Sequence, residues 1–202
     1  LMEINHKQTL GLLKDVNIKL LNEEEYAWFT LLQVRAWNLD DMNISTSDAA
    51  VLSARDYFIR NNNAVKAAYA SFVYAHIYYA EENMNKALYH FLQAEEWAEK
   101  VNYKIPYLNY SLIPYNIALI YSIDSKAKDA LPYLNKALIH MDVEKGAYKD
   151  ELHALELKGI IFKNINETDS AFFYFDKALN LAEENNNVES KKRILHNQSR
   201  LY

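Results

Sequence analysis

Three stretches of this 202-residue chain carry the same pattern of small and large apolar residues at the same spacing. They are Asn85–Ala94, Lys128–Ala137 and Asp169–Ala178, and each places an alanine, a large apolar residue four positions on, and a second alanine three further. The sets are Ala87/Phe91/Ala94, Ala130/Leu134/Ala137 and Ala171/Phe175/Ala178. Positions i, i+4 and i+7 share one face of a helix. Twelve residues before each first alanine stands another small residue, with an aromatic three places later: Ala75/Tyr78, Ala118/Tyr121 and Gly159/Phe162. The physical reading is a helical hairpin. The small residue of the first helix lets the second approach closely, and the aromatic fills the space beside it. One hairpin cannot bury its own apolar faces, so hairpins stack and share a continuous core.

The pattern resembles the tetratricopeptide repeat, whose signature is a small residue, an aromatic three on, then Ala, an aromatic or Leu, and Ala. The resemblance implies an all-α fold: a right-handed α-α superhelix, a solenoid of antiparallel helix hairpins. The period here is 43 and then 41 residues, against about 34 in the family, and the usual early Trp and late Pro are missing. The extra residues fall between hairpins, which predicts helices about one turn longer, as in some bacterial regulatory members.

The flanks extend the pattern. Asn22-Glu-Glu-Glu25 reads as a capping box opening a helix through Asn38, and Ser45-Thr-Ser-Asp48 caps a second one running to about Arg60. Together they form a degenerate first hairpin with Trp37 in the aromatic slot. Gln8–Leu13 with Val16 and Leu20 reads as a lone packing helix. The organisation is therefore one solenoid domain over 1–202. It comprises a packing helix (1–21), a degenerate repeat (22–61), three repeats (62–103, 104–146, 147–186) and a final or truncated helix (187–202). Ser199 and Tyr202 fall in the small and aromatic slots of a fifth repeat, so the chain is expected to stop inside a longer array. A first residue other than Met likewise suggests a piece of a longer product.

Glycine and proline number only three each, far below average usage of about 7% and 5%. Pro106 and Pro114 fit first turns of helices, and Pro132 predicts a local kink inside one. Gly146 marks a loop after the apolar run ending near Met141–Val143. Asn62-Asn63, Asn83 and Asn185-Asn186-Asn187 take over turn positions, since Asn tolerates the left-handed region.

A formal charge of −5 argues against a nucleic-acid surface, which would need clustered Lys and Arg to release counterions. The knot Lys191-Lys192-Arg193 with Arg200 reads as a solvated helix face. Without cysteine there are no disulfides, thiolate nucleophiles or Cys-ligated zinc. No run approaches the eighteen or so apolar residues of a membrane span.

No catalytic constellation is visible, and the expectation is a chain that is not an enzyme and carries no cofactor. There is no His-Glu-x-x-His, GxSxG or Walker loop; Gly11, Gly146 and Gly159 are too far apart for a phosphate nest. His6, His90 and His140 read as exposed on helix faces, and Glu95, Glu96 and Glu99 as a solvent face. His153 and Glu156 share a face at i, i+3, but without a third ligand they read as a partner-facing polar pair.

In tetratricopeptide arrays the first helices of successive hairpins line a concave groove that holds peptides or helices. Taking Ala75 and Tyr78 as inward, helical periodicity puts Tyr69, Phe72, His76 and Tyr79 on the groove. The next hairpin offers Tyr115, Asn116 and Leu119, and the last full one His153, Glu156 and Ile160. His196 and Arg200 come from the terminal helix, and Trp28 and Arg35 from the degenerate hairpin. Aromatic groups with a polar tip suit interfaces; some of the tyrosines could instead fill space between helices. The Lys, Asn and Arg slots of the family's carboxylate-clamping chaperone adaptors hold Phe72, His76, Tyr115, Leu119, Glu156 and Ile160 here, so that clamp is absent.

The expected function is a protein- or peptide-binding module, the sensor or scaffold part of a larger bacterial regulatory protein. A periplasmic sensor region is preferred over a cytoplasmic one. No direct nucleic-acid binding and no membrane span are expected in this segment. The alternatives are a structural spacer that self-associates, as a homodimer, and a small-ligand sensor or enzyme using His153 and Glu156.

Overall fold

A computed structural model describes residues 6–38, 48–106, 108–141 and 148–201. The side chains of His6 and Trp37, the cap over Ser45–Asp48, the loop at Gly146, Val143 and Tyr202 lie outside the described residues. Among these residues the chain is all-α, an arrangement of antiparallel helix hairpins in two compact units, 1–108 and 109–202.

The first unit holds α1 (His6–Lys14), a 3-10 turn (Ile18–Leu20), α2 (Glu23–Asn38), α3 (Asp48–Arg60), α4 (Ala64–Ala80) and α5 (Met84–Lys100). Each helix packs on the next, and α2 also reaches α4. The capping box at the start of α2 is present in both directions. Glu25 N–H donates to Asn22 Oδ1 and Asn22 N–H to Glu25 Oε2, each at 2.9 Å. The second unit holds α6 (Leu112–Ile123), α7 (Ala127–Met141), α8 (Tyr148–Asn164), α9 (Thr168–Glu184) and α10 (Val188–Gln198), packed in the same serial way, with α6 also touching α8.

The repeat positions form the core of each unit. All nine residues of the three Ala/large/Ala sets have 0% exposure. A Cβ added at Gly159 would lie 2.6 Å from the Phe175 ring, so the small residue on α8 is a condition for the close crossing with α9. Four helices (α4, α5, α8, α9) run for 17 residues. Two such helices already equal the whole of a standard repeat of about 34 residues, which accounts for the long period. The hairpin of α6 and α7 differs: α6 has only 12 residues, and the extra length lies in the turn-rich stretch before it. Pro106 accordingly sits in that stretch and not in a helix, while Pro114 occupies the first turn of α6. The helix α7 continues unbroken through Pro132, whose missing N–H leaves the Lys128 carbonyl without its helical donor.

The helix junctions share one device. A residue at positive φ is followed by an N–H that reaches back five residues: Asn63 to Phe58, Asn83 to Tyr78, Lys126 to Tyr121, Glu167 to Phe162 and Asn187 to Ala182, at 2.8–3.0 Å. This is the six-to-one bond of a Schellman cap. The asparagine reading holds with a division of labour. Asn62 and Asn186 take the left-handed position, and Asn63, Asn83 and Asn187 cap the next helix through their side chains. Two turns put other residues in the left-handed position, Glu82 (φ 58°) and Ser125 (φ 57°). Ser199, expected in a helical small-residue slot, is exposed and lies beyond the end of α10.

Candidate functional site

Residues one repeat apart on successive first helices become neighbours in space. In the first unit Trp28 on α2 and Tyr69 on α4, 41 positions later, have ring centroids 5.3 Å apart. Arg35 and His76 have the same separation in sequence, and Arg35 acts electrostatically on His76. The Phe72 ring lies between them: the Arg35 guanidinium is 5.5 Å from its centroid and the His76 ring 4.5 Å. His76 also meets Phe91 of α5 edge-on at 5.1 Å and Tyr79 at 6.4 Å.

The predicted stripe on α4 is not an open surface. Eleven of the 17 residues of α4 are buried, because the helix packs against α2, α3 and α5 at once. A helix surrounded in this way is apolar nearly all round. Tyr69 and Phe72, at 3% and 0% exposure, are core residues within the first unit. Only Trp28, Arg35, His76 and Tyr79 keep partial exposure there.

Burial sets the electrostatics. Desolvation, and then the positive Arg35, push His76 down to about 3, so its imidazole is neutral across the physiological range. Desolvation also lowers Arg35, an effect partly opposed by Tyr69. The Tyr69 phenol is raised by its own desolvation, with Arg35 acting the other way. Among the described residues Arg35 has no carboxylate or hydrogen-bond partner, and the buried His76 Nε2 has none either.

In the second unit the predicted polar end of the stripe is occupied internally. Glu156 on α8 is 5% exposed. Arg193 and Asn197 of α10 hold its carboxylate: Arg193 Nε donates to both oxygens at 2.9 Å, Arg193 Nη2 to Oε2 at 2.7 Å, and Asn197 Nδ2 to Oε1 at 3.1 Å. The carboxylate raises Arg193, chiefly through these hydrogen bonds. The expectation of a partner-facing His153/Glu156 pair is therefore corrected: His153 is exposed, and Glu156 is committed to α10. Arg193 is likewise no member of a purely solvated basic knot. Lys191 pairs with Glu183, and Lys192 is exposed. Sequence reasoning missed Arg193 and Asn197, although Asn197 falls one 41-residue period after Glu156.

The remaining predicted positions are mixed. Asn116 is buried and bonds the Leu112 carbonyl of its own helix at 2.7 Å. Tyr115 and Leu119 are half-buried and pack on the core of α6, α7 and α8. Ile160 is half-buried, and His196 and Arg200 are exposed. Two further expectations of exposure fail. His90 is buried, stacked on Tyr78 at 5.5 Å and 3.1 Å from Arg55 Nη1. Its Nδ1, the atom facing Arg55, also lies 3.0 Å from Gln93 Oε1. Glu95 is also buried and accepts from Tyr103 Oη at 3.0 Å. His140 is half-buried against Tyr110.

Two open clefts lie elsewhere. One, about 590 Å³, is bounded by Leu52, Arg55, Ile59 and Gln93 of the first unit; the other, about 450 Å³, by Leu155, Lys158, Tyr174 and Lys177 of the second. Among the described residues no group of three or more His, Asp or Glu could hold a metal ion. No helix among the described residues is long and apolar enough to cross a membrane.

No protein-family model matches the sequence, and no curated protein matches it. Among solved structures the chain is similar to aspartyl phosphate phosphatase F from Bacillus subtilis, with a TM-score of 0.74 at 19% sequence identity. That similarity covers 96% of this chain and 49% of the other, so this chain spans about half the length of that protein. The likeness is one of fold, and with the nine buried repeat positions it makes this a tetratricopeptide-like, all-helical repeat protein.

Proposed function

We propose that this chain is a protein- or peptide-binding module of the tetratricopeptide-like type, the sensor or scaffold part of a larger bacterial regulatory protein, and not itself an enzyme. The observation that carries the reading is the partly exposed edge of the first unit formed by Trp28, Arg35, His76 and Tyr79. Aromatic and guanidinium groups are the side chains that most often anchor protein interfaces. Here two of them stand on α4, most of whose residues are buried, and a well-packed support lowers the ordering cost of binding. The phosphatase named in the similar structure is not carried over to this chain, because a shared fold does not bring a shared reaction.

The test is a pull-down comparing the chain with a Trp28→Ala/Tyr79→Ala variant of unchanged helicity. These positions are chosen over Tyr69 and Phe72, whose truncation would open cavities and confound the result. A partner retained by the parent and lost by the variant supports the module. Equal retention by both refutes it.

A second reading, a self-associating structural spacer, draws on the exposed apolar residues Val188 and Leu195 of α10, at 63% and 43% exposure. Light scattering across a concentration series separates the two readings. A dimer broken by Val188→Glu/Leu195→Glu would favour the spacer.

A further inference from the structure

The cleft of about 450 Å³ in the second unit is lined by α7, α8 and α9, with buried Leu155 and Lys158 of α8 at its floor. Charge is sorted along it. Glu151 and Lys158 on α8 are seven residues apart, and so are Lys177 and Glu184 on α9; all four line the cleft. Seven residues make two turns and span roughly 10 Å of helix axis, so each pair stands on one face of its helix. The antiparallel register is fixed where Gly159 meets the Phe175 ring and where Lys158 Nζ lies 4.2 Å from the Tyr174 centroid. That register puts Lys158 level with Lys177 and Glu151 level with Glu184. One end of the cleft is therefore basic and the other acidic, and Leu138, Leu155 and Leu181 line the stretch between them.

The basic end is not neutralised from within. Lys158 is 8% exposed, and its ammonium donates to Asn135 Oδ1 and rests on the Tyr174 ring. Lys177 lies over the Phe173 ring, 4.7 Å from its centroid. Among the described residues no carboxylate forms an ion pair with either lysine. A buried ammonium without a counter-charge is unfavourable, and an amide oxygen and a ring face offset only part of that cost. The cleft of the first unit differs: there Arg55 pairs with Asp56 at 3.1 Å, so its charge is answered inside the protein.

We propose that the cleft of the second unit binds a small zwitterion of the ω-amino acid class, with a carboxylate and an ammonium held roughly 10 Å apart by an apolar spine. Lys158 and Lys177 take the carboxylate, and Glu151 and Glu184 take the ammonium. The three leucines cover the spine. Two cations and two anions leave the lining without net charge, so the cleft selects separated opposite charges over a polyanion or a polycation. Its volume falls among those of small-molecule sites, about 300–1,000 Å³. It shares no residue with the edge formed by Trp28, Arg35, His76 and Tyr79, and the inference does not depend on peptide binding there.

The probe is 8-aminooctanoate, whose charged ends stand about as far apart, when extended, as the two ends of the cleft. Octanoate, octylamine and the short zwitterion 4-aminobutanoate are the controls. Binding to the whole chain at neutral pH is followed by NMR on the Leu155 and Leu181 methyl groups and the Lys158 side chain. The expected result is that 8-aminooctanoate shifts all three and binds about tenfold tighter than each control. The pair Lys158→Met/Lys177→Gln, which keeps an unbranched side chain against Tyr174, should weaken 8-aminooctanoate and octanoate and leave octylamine unchanged. Glu184→Lys should remove the advantage of 8-aminooctanoate over octanoate.

Equal affinity for the four probes overturns the site, and so does binding that leaves Leu155, Leu181 and Lys158 unshifted. An advantage of 8-aminooctanoate that persists in Lys158→Met/Lys177→Gln or in Glu184→Lys overturns it as well. Should the Lys158 change unfold the second unit by circular dichroism, Lys177→Gln and Glu184→Lys, both at exposed positions, decide the matter alone. None of these outcomes touches the pull-down at Trp28 and Tyr79, so the site can fail while that reading stands.

Discussion

Arg193 on α10 grips Glu156 on α8 through three hydrogen bonds of 2.7–2.9 Å, and Asn197 closes the remaining side of the carboxylate at 3.1 Å. The pair ties two first-type helices that are separated in sequence by α9. Glu156 is buried while the Arg193 side chain keeps 44% exposure, so the two halves of the pair are not equivalent. Truncating Arg193 to Ala strands a buried carboxylate on Asn197 alone and should cost about 1–3 kcal/mol. The neutral pair Glu156→Gln/Arg193→Met should cost clearly less than the single Arg193 change. Urea unfolding of the parent, the singles and the double gives the coupling directly. Independent effects would show that the pair does not hold α10.

Gly159→Ala should destabilise the second unit by about 1–3 kcal/mol, because the new methyl group meets the Phe175 ring at 2.6 Å. Phe175→Leu in the same chain should recover part of the loss by making room. A neutral Gly159→Ala, read by thermal melting, would mean that the two helices part without cost.

The left-handed turn residues are suboptimal at two junctions. Glu82 adopts φ 58° at a position where a side chain without local hydrogen bonding is disfavoured by roughly 1–2 kcal/mol. Glu82→Asn and Glu82→Gly should each raise the melting temperature, corresponding to about 0.5–1 kcal/mol. Glu82→Val should lower it. An unchanged melt for all three would argue against strain at that turn.

His76 gives the first unit a defined acid sensitivity. Its pKa in the folded chain, about 3, lies below the unfolded value of about 6.5, so between these limits the unfolded chain binds more protons. Stability from this group is intact above pH 6.5 and is lost as pH falls toward 3, at up to about 1.4 kcal/mol per pH unit. His76→Phe should remove that slope. Urea unfolding at pH 7.5, 5.5 and 4.5 compares the two proteins, and parallel stability curves would refute the burial argument.

The local pattern determined a great deal here. Ala87/Phe91/Ala94 and its two counterparts identified the helical hairpins, their register and the core of each unit, because close helix crossing demands small residues at fixed i, i+4 and i+7 positions. The capping box at Asn22 and Glu25 and the asparagine turns were equally legible, since caps and turns are settled by neighbours within a few residues. Even the approach of Trp28 to Tyr69 fits the 41-residue spacing of the two positions.

Exposure was another matter. Periodicity places a side chain on a face of its own helix but does not say how many other helices that face meets. Tyr69 and Phe72 became core because α4 packs against three neighbours, and His90 was drawn inward by Tyr78 and Arg55. Glu156 lost its place on an open surface to an arginine 37 residues away. Those outcomes depend on long-range packing and on the need to neutralise or hydrogen-bond every buried polar group. That need acts between residues that only the tertiary fold brings together.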